Sequence, residues 1–279
     1  MKFSHRTWAF AHTRQQPRLP LAADQAHDML DGARIERRKF GRVGHRLRSH
    51  KFMRIAEGHR TLDSRGILPS RRRSSMVQPS TLLQMQGAPM HPAPFADAAL
   101  ILIDIQEEYR SGALPLDGVT QAALAAGEML ALARGNGLPI FHVRHTLPNA
   151  SIFNPESLAF AFMAEVAPQA GETIIDKSRP NAFHETDLDR AIRQTGRGEL
   201  IIVGMQTHLC VSATVRAAGD LGYRSTVVRS ACATRDLPDG KGAAISAPVV
   251  HDAALAELGD AFAVIADCPS AWGRAAGPI

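Results

Sequence analysis

From Ala98 onward, six short apolar runs alternate with segments of helical length, and this alternation admits few folds. Residues 98–105, 139–143, 172–176, 200–205, 224–229 and 261–265 read as strands. The first is a nearly continuous apolar run reaching Asp104, the pattern of a strand buried on both faces. Helices are expected over 118–134, near 155–166, over 187–194 and 209–221, and around 253–258. The apolar face of 118–134 reads as Val119, Leu124, Met129 and Leu132; that of 209–221 reads as Val211, Val215, Ala218 and Leu221. Strands joined by helices of this length require right-handed crossovers, hence a parallel sheet covered by helices on both faces. The expected class is α/β, a single three-layer α/β/α domain over residues 96–279 with a six-stranded parallel sheet.

Charge separates that domain from what precedes it. Residues 1–95 hold 18 Lys and Arg against 6 Asp and Glu, a net of +12, whereas residues 96–279 carry a net of −7. Without sustained periodicity the first segment cannot bury enough apolar surface to offset ordering, so a disordered basic extension is expected to residue 95. Three readings of it stay open. It is a basic arm attracting nucleic acid, an Arg-rich transit peptide, or an over-extended start, with Met76, Met85 or Met90 beginning the native chain.

No window approaches the 18 to 20 uninterrupted apolar residues of a membrane span, and the first residues lack the apolar core of a secretory signal. Three cysteines, Cys210, Cys232 and Cys268, are too few for a disulfide scaffold; reduced thiols and a cytoplasmic location are expected.

In an open parallel sheet, ligands bind beyond the carboxyl ends of the strands. Asp104 closes the first strand, Lys177 follows the third, and Cys210 lies in the turn after the fourth. Each has an ordinary reading as cap, solvated strand end or core thiol; their shared position favours chemistry. With Thr207 as N-cap, Cys210 falls in a first helical turn, where the helix dipole and free amides are expected to lower a thiol pKa. An ammonium at Lys177 further favours thiolate, and Asp104 can accept the thiol proton. Cys232 and Cys268 lack this context.

Three segments carry a resemblance: LILIDIQEEY, IIDKSRPNAFHETDL, and IIVGMQTHLCVSATVRAAGDLGYRSTVVRSACAT. They are similar to the signature segments of the isochorismatase-like cysteine hydrolases, and the GMQTHLCV phrase most resembles the broad branch that includes streptothricin hydrolase. The resemblance covers about residues 96–268. It implies the triad Asp104, Lys177 and Cys210, a cis peptide between Met205 and Gln206, and an oxyanion hole from the backbone N–H groups of Gln206 and Cys210. It also implies a homo-oligomer, dimer or tetramer.

Departures from the family narrow the chemistry. Nicotinamidases are expected to show an Asp-x-His metal element after the second strand. FHVRHT stands there, with His142 and His145 on opposite faces and no carboxylate, so neither a metal nor another cofactor is expected. Retention of Cys210 implies a small-molecule amide, carbamoyl or imide substrate attacked through a thioester. The alternatives are vinyl-ether hydrolysis, which needs no cysteine, and a nucleic-acid binder acting through the basic arm. Pocket candidates are Gln106, His145, Phe153, Asn181, Phe183 and His208, with Phe160 and Phe162 as further apolar walls or helix core.

Overall fold

The apolar runs form strands because their alternate side chains have two apolar layers to enter. In the computed structural model, which describes residues 79–273, β1 (Ala98–Ile103), β2 (Ile140–His145), β3 (Thr173–Lys177), β4 (Glu199–Met205) and β5 (Arg224–Ala233) pair in parallel. A hairpin of β6 (Leu237–Pro238) and β7 (Ala244–Ile245), absent from the expected strands, precedes β8 (Ala263–Ala266). The order is β3-β2-β1-β4-β5-β8, so the direction of winding reverses between β1 and β4. That reversal opens a crevice at their carboxyl ends.

All six β1 residues are buried. Leu100 and Leu102 enter one core with α2 (Val119–Gly135); Ala99, Ile101 and Ile103 enter the other, with α3 (Leu188–Gln194), α4 (Ser212–Asp220) and α5 (Ala247–Ala261). Burying one such Leu or Ile contributes about 1.5–3 kcal/mol, and the strand is thereby fixed from both sides.

Three expectations need correction. The buried stripe of α2 is Val119, Ala122, Ala123, Ala126, Met129, Leu130 and Ala133, while Leu124 and Leu132 are 53% and 37% exposed. The alanine stripe repeats at the helical period and allows close approach to the sheet. The helix expected near 155–166 is instead two short 3-10 turns, Leu158–Phe160 and Ala164–Val166. Its backbone is committed elsewhere: Met163 N–H donates to Ile105 O, and Ala161 O accepts from Glu107 N–H. This pairing lays the loop beside Asp104. The third concerns the segment ahead of β1.

Residues 1–78 of the expected basic extension lie outside the described residues. Residues 79–95 are packed against the domain rather than disordered. Thr81 caps a short helix, α1 (Leu82–Met85), whose Leu82 N–H donates to Asp260 Oδ1 in α5. Buried Ala93 donates to Thr226 Oγ1, Trp272 Nε1 donates to Ala93 O, and the Trp272 ring stacks on Phe95. A chain starting at Met85 or Met90 would lose the Thr81 cap and its contact with α5.

Gly204 makes the close approach of β4 to β1 possible. Its φ is +131°, and a Cβ would lie 2.1 Å from Ile103 O. Gly204→Ala is therefore expected to destabilise the fold by about 3 kcal/mol or more. Thermal or urea unfolding checks this, and unchanged stability would show that the two backbones are not held this closely.

Candidate active site

The crevice is built from four strand ends. Immediately after β1, Asp104 turns into the left-handed region at φ 51°, a conformation Asp adopts more readily than most residues. Its N–H donates to Val143 O and its carbonyl accepts from Gln106 N–H, which fixes the turn. The carboxylate is fully buried, with Oδ2 2.7 Å from Lys177 Nζ. Lys177 ends β3, in register with His145 at the end of β2. Its buried ammonium lies 2.8 Å from His145 Nδ1 and donates to Cys210 Sγ at 3.4 Å. The structure thus brings Asp104, Lys177 and Cys210 together and adds His145 as a fourth member.

Cys210 sits in a π-helical turn, Thr207–Val211, in which Val211 N–H reaches back to Gln206 O. The expected regular first helical turn with a Thr207 cap is absent; Thr207 Oγ1 bonds His251 Nδ1 instead. The Met205–Gln206 peptide is cis. Cys210 is 1% exposed, and burial pushes its thiol pKa up, as does Asp104, while Lys177 opposes them. This reverses the lowered pKa expected from the helix dipole, because desolvation and a carboxylate outweigh one ammonium. The resting group is a thiol, and Oδ1 of Asp104, without a hydrogen bond among the described residues, is free to accept its proton.

Glu108 and Tyr109, neither of them singled out from the sequence, join the expected Phe153 beside this cluster. Tyr109, five positions after Asp104, is buried; desolvation, reinforced by the charges of Asp104 and Cys210, holds its hydroxyl well above the usual range. Phe153, φ 53°, lies 4.9 Å from the His145 ring and meets Tyr109 edge-on at 5.2 Å. Buried Glu108 accepts hydrogen bonds from Phe153 N–H and Ala113 N–H, holding that aromatic wall. A carboxylate four positions and an aromatic five positions beyond Asp104 in DIQEEY were the available signal.

Other pocket candidates act as braces. Gln106 spends its amide on His145 N–H, His145 O and Phe160 O. Asn181 Oδ1 accepts from Phe183 N–H, and the Phe183 ring stacks on Tyr223 at 6.0 Å. Phe160 lies under the Arg144 guanidinium, and Phe162 packs against His142. His208 Nδ1 contacts Thr234 Oγ1 beside the Cys210 turn, and burial lowers its pKa. Cys232 is buried and pushed up to about 12 by desolvation, and Cys268 contacts Ser270; neither joins the site.

Asp104, His145 and Cys210 present donor atoms within 4.8 Å of one another, the spacing a metal ion would need. The Lys177 ammonium already touches all three, so the local positive charge is supplied by the protein.

The profile of the isochorismatase domain matches residues 98–269, the whole sheet and every member of this cluster. The chain belongs to the isochorismatase family. A solved isochorismatase from Pseudomonas putida KT2440 is similar at 41% identity and a TM-score of 0.64, over 67% of this chain and 96% of that one. The isochorismatase family protein YddQ of Bacillus subtilis is 37% identical over 170 residues, 60% of this chain and 94% of its own length. Maleamate amidohydrolase of Pseudomonas putida is 31% identical over 155 residues, 49% of this chain and 72% of the relative. Streptothricin hydrolase of Streptomyces noursei is 26% identical over 203 residues, 71% of this chain and 81% of the relative. Isochorismatase-family relatives of this chain thus include amidohydrolases. Among the described residues, no helix is long and apolar enough to cross a membrane.

A thiol whose pKa is raised stays neutral through the neutral range, and its thiolate fraction climbs about tenfold per pH unit until that pKa is reached. Alkylation of Cys210 by iodoacetamide, followed by peptide mass mapping, should therefore keep accelerating beyond the ordinary thiol value of about 8.5. A plateau at or below neutral pH would contradict the geometry.

Proposed function

We propose that the protein is a cysteine-dependent hydrolase cleaving a C–N bond of a small amide, carbamoyl or imide substrate through a thioester. The observation that carries this reading is the contact set of Cys210, Lys177 and Asp104 in one buried cluster, with Asp104 Oδ1 free of hydrogen bonds among the described residues. Asp104 takes the thiol proton as the sulfur attacks the carbonyl carbon. Attack moves one electron pair of the carbonyl onto its oxygen, and the backbone N–H groups of Gln206 and Cys210 are assigned to hold that oxyanion. The tetrahedral adduct collapses, the proton on Asp104 passes to the departing nitrogen, and amine or ammonia leaves. Water then gives a proton to Asp104 and its hydroxide to the thioester carbon. Breaking the C–S bond releases the acid, and the thiol recovers its proton.

Lys177, ion-paired with Asp104, offsets the negative charge that passes between oxygen and sulfur. The near-complete cover over Cys210 supports a small acyl group, and the amidohydrolase relatives support the bond class. A cytoplasmic location, for which the three free cysteines are the support, belongs to the same proposal. So does the homo-oligomer implied by the family resemblance.

A screen for ammonia release from small primary amides, maleamate among them, tests the reading. Cys210→Ala is expected to lose turnover by about a thousandfold or more. Full activity in that variant would shift the assignment to chemistry that needs no thiol, such as vinyl-ether hydrolysis.

A further inference from the structure

An ammonium carries three N–H bonds, and the fold sets three partners around Lys177: the ion-paired Asp104 Oδ2 at 2.7 Å, and the hydrogen-bonded His145 Nδ1 at 2.8 Å and Cys210 Sγ at 3.4 Å. The side chain is fully covered, so water cannot replace any of them. Lys177 faces a buried carboxylate as its ion-pair partner, and an ammonium only donates. Nδ1 of His145 must then accept, which places the single ring proton on Nε2. A doubly protonated ring would set two cations 2.8 Å apart. The ring is not a partner of the carboxylate either, because Nδ1 stands 3.7 Å from Asp104 Oδ2, beyond hydrogen-bond reach.

This placement is held from several sides. Gln106 clamps the His145 backbone through both its N–H and its carbonyl. Register pairs His145 with Lys177, and Phe153 lies against the ring. The side chain is 11% exposed, and Nε2 has no hydrogen-bond partner among the described residues. The ring is thus fixed at one nitrogen and unengaged at the other.

We infer that His145 is a positioning residue for Lys177: its neutral Nδ1 takes one N–H of the ammonium and so aims another at the Cys210 sulfur. The inference rests on the proposed role of Cys210 as nucleophile. Without an acceptor at Nδ1, the buried ammonium loses one of three partners and its hold on the sulfur slackens. Nε2–H remains as a donor for a substrate acceptor or a water.

The tautomer can be read directly. Long-range nitrogen–proton correlation on nitrogen-15-labelled full-length protein should show His145 with Nδ1 unprotonated and Nε2 protonated, the signal being identified by its loss in His145→Asn. A proton on Nδ1 would overturn the inference. In parallel, alkylation of Cys210 by iodoacetamide at one fixed pH should slow about tenfold in His145→Leu, which removes the acceptor. It should return to within about twofold of wild type in His145→Asn, whose Oδ1 stands where Nδ1 stood. Wild-type rates in His145→Leu, or an Asn variant as slow as the Leu variant, would contradict the assignment. Should His145→Leu fail to fold, the wild-type tautomer decides alone. Neither readout uses turnover, so a Cys210→Ala variant that retained activity would remove the cysteine-dependent reading and leave this test standing.

Discussion

The buried ion pair between Lys177 and Asp104 is the contact on which the rest of the site depends. Both side chains are removed from water, and breaking such a pair by deleting one partner costs about 3–5 kcal/mol. A pair of apolar residues would cost the fold less, so its presence at the carboxyl end of the sheet fits a role in chemistry more than in stability. The surrounding structure satisfies the two charges. β1 delivers Asp104 through a left-handed turn, β3 delivers Lys177 at its last residue, and β2 supplies His145 as a further acceptor. Gly204 lets β4 lie close enough to β1 for the following turn to bring Cys210 to the ammonium.

The reversal of strand order between β1 and β4 explains why residues far apart in sequence converge. β2 and β3 wind to one side of β1, while β4, β5 and β8 wind to the other. Asp104 therefore borders the crevice from one side and the nucleophile turn from the other. Phe153 and Tyr109 meet edge-on, Phe153 also lies against His145, and Glu108 holds this aromatic pair by taking the Phe153 N–H. The same cover that excludes water raises the thiol pKa, so in the proposed reaction the cysteine depends on Asp104 to remove its proton.

Much of this was legible in the chain because its signals are local. The apolar run before Asp104, the six-strand alternation and the three reactive side chains at strand ends follow from periodicity and topology, and the family resemblance named the cis peptide at Met205–Gln206. What the sequence hid depends on tertiary contact. Leu124 and Leu132 looked like core, yet the small face of α2 is the one that fits against the sheet. The 155–166 segment has helical texture, but its backbone pairs with residues 105–107. The direction of the Cys210 shift turns on desolvation, which no spacing reveals. Residues 79–95 lack a period and still dock, because Leu82, Ala93 and Phe95 find partners far away in α5, β5 and at Trp272.

The central claim is that Cys210 carries the acyl group between two half-reactions. Its most direct test is acid quenching of the enzyme during turnover of an amide substrate, followed by intact-protein and peptide mass spectrometry. The account predicts an adduct of the acyl mass on the peptide containing Cys210, removed by hydroxylamine as a thioester is. Steady turnover with Cys210 unmodified and the adduct absent at every quench time, under conditions where thioester hydrolysis limits the rate, would contradict it.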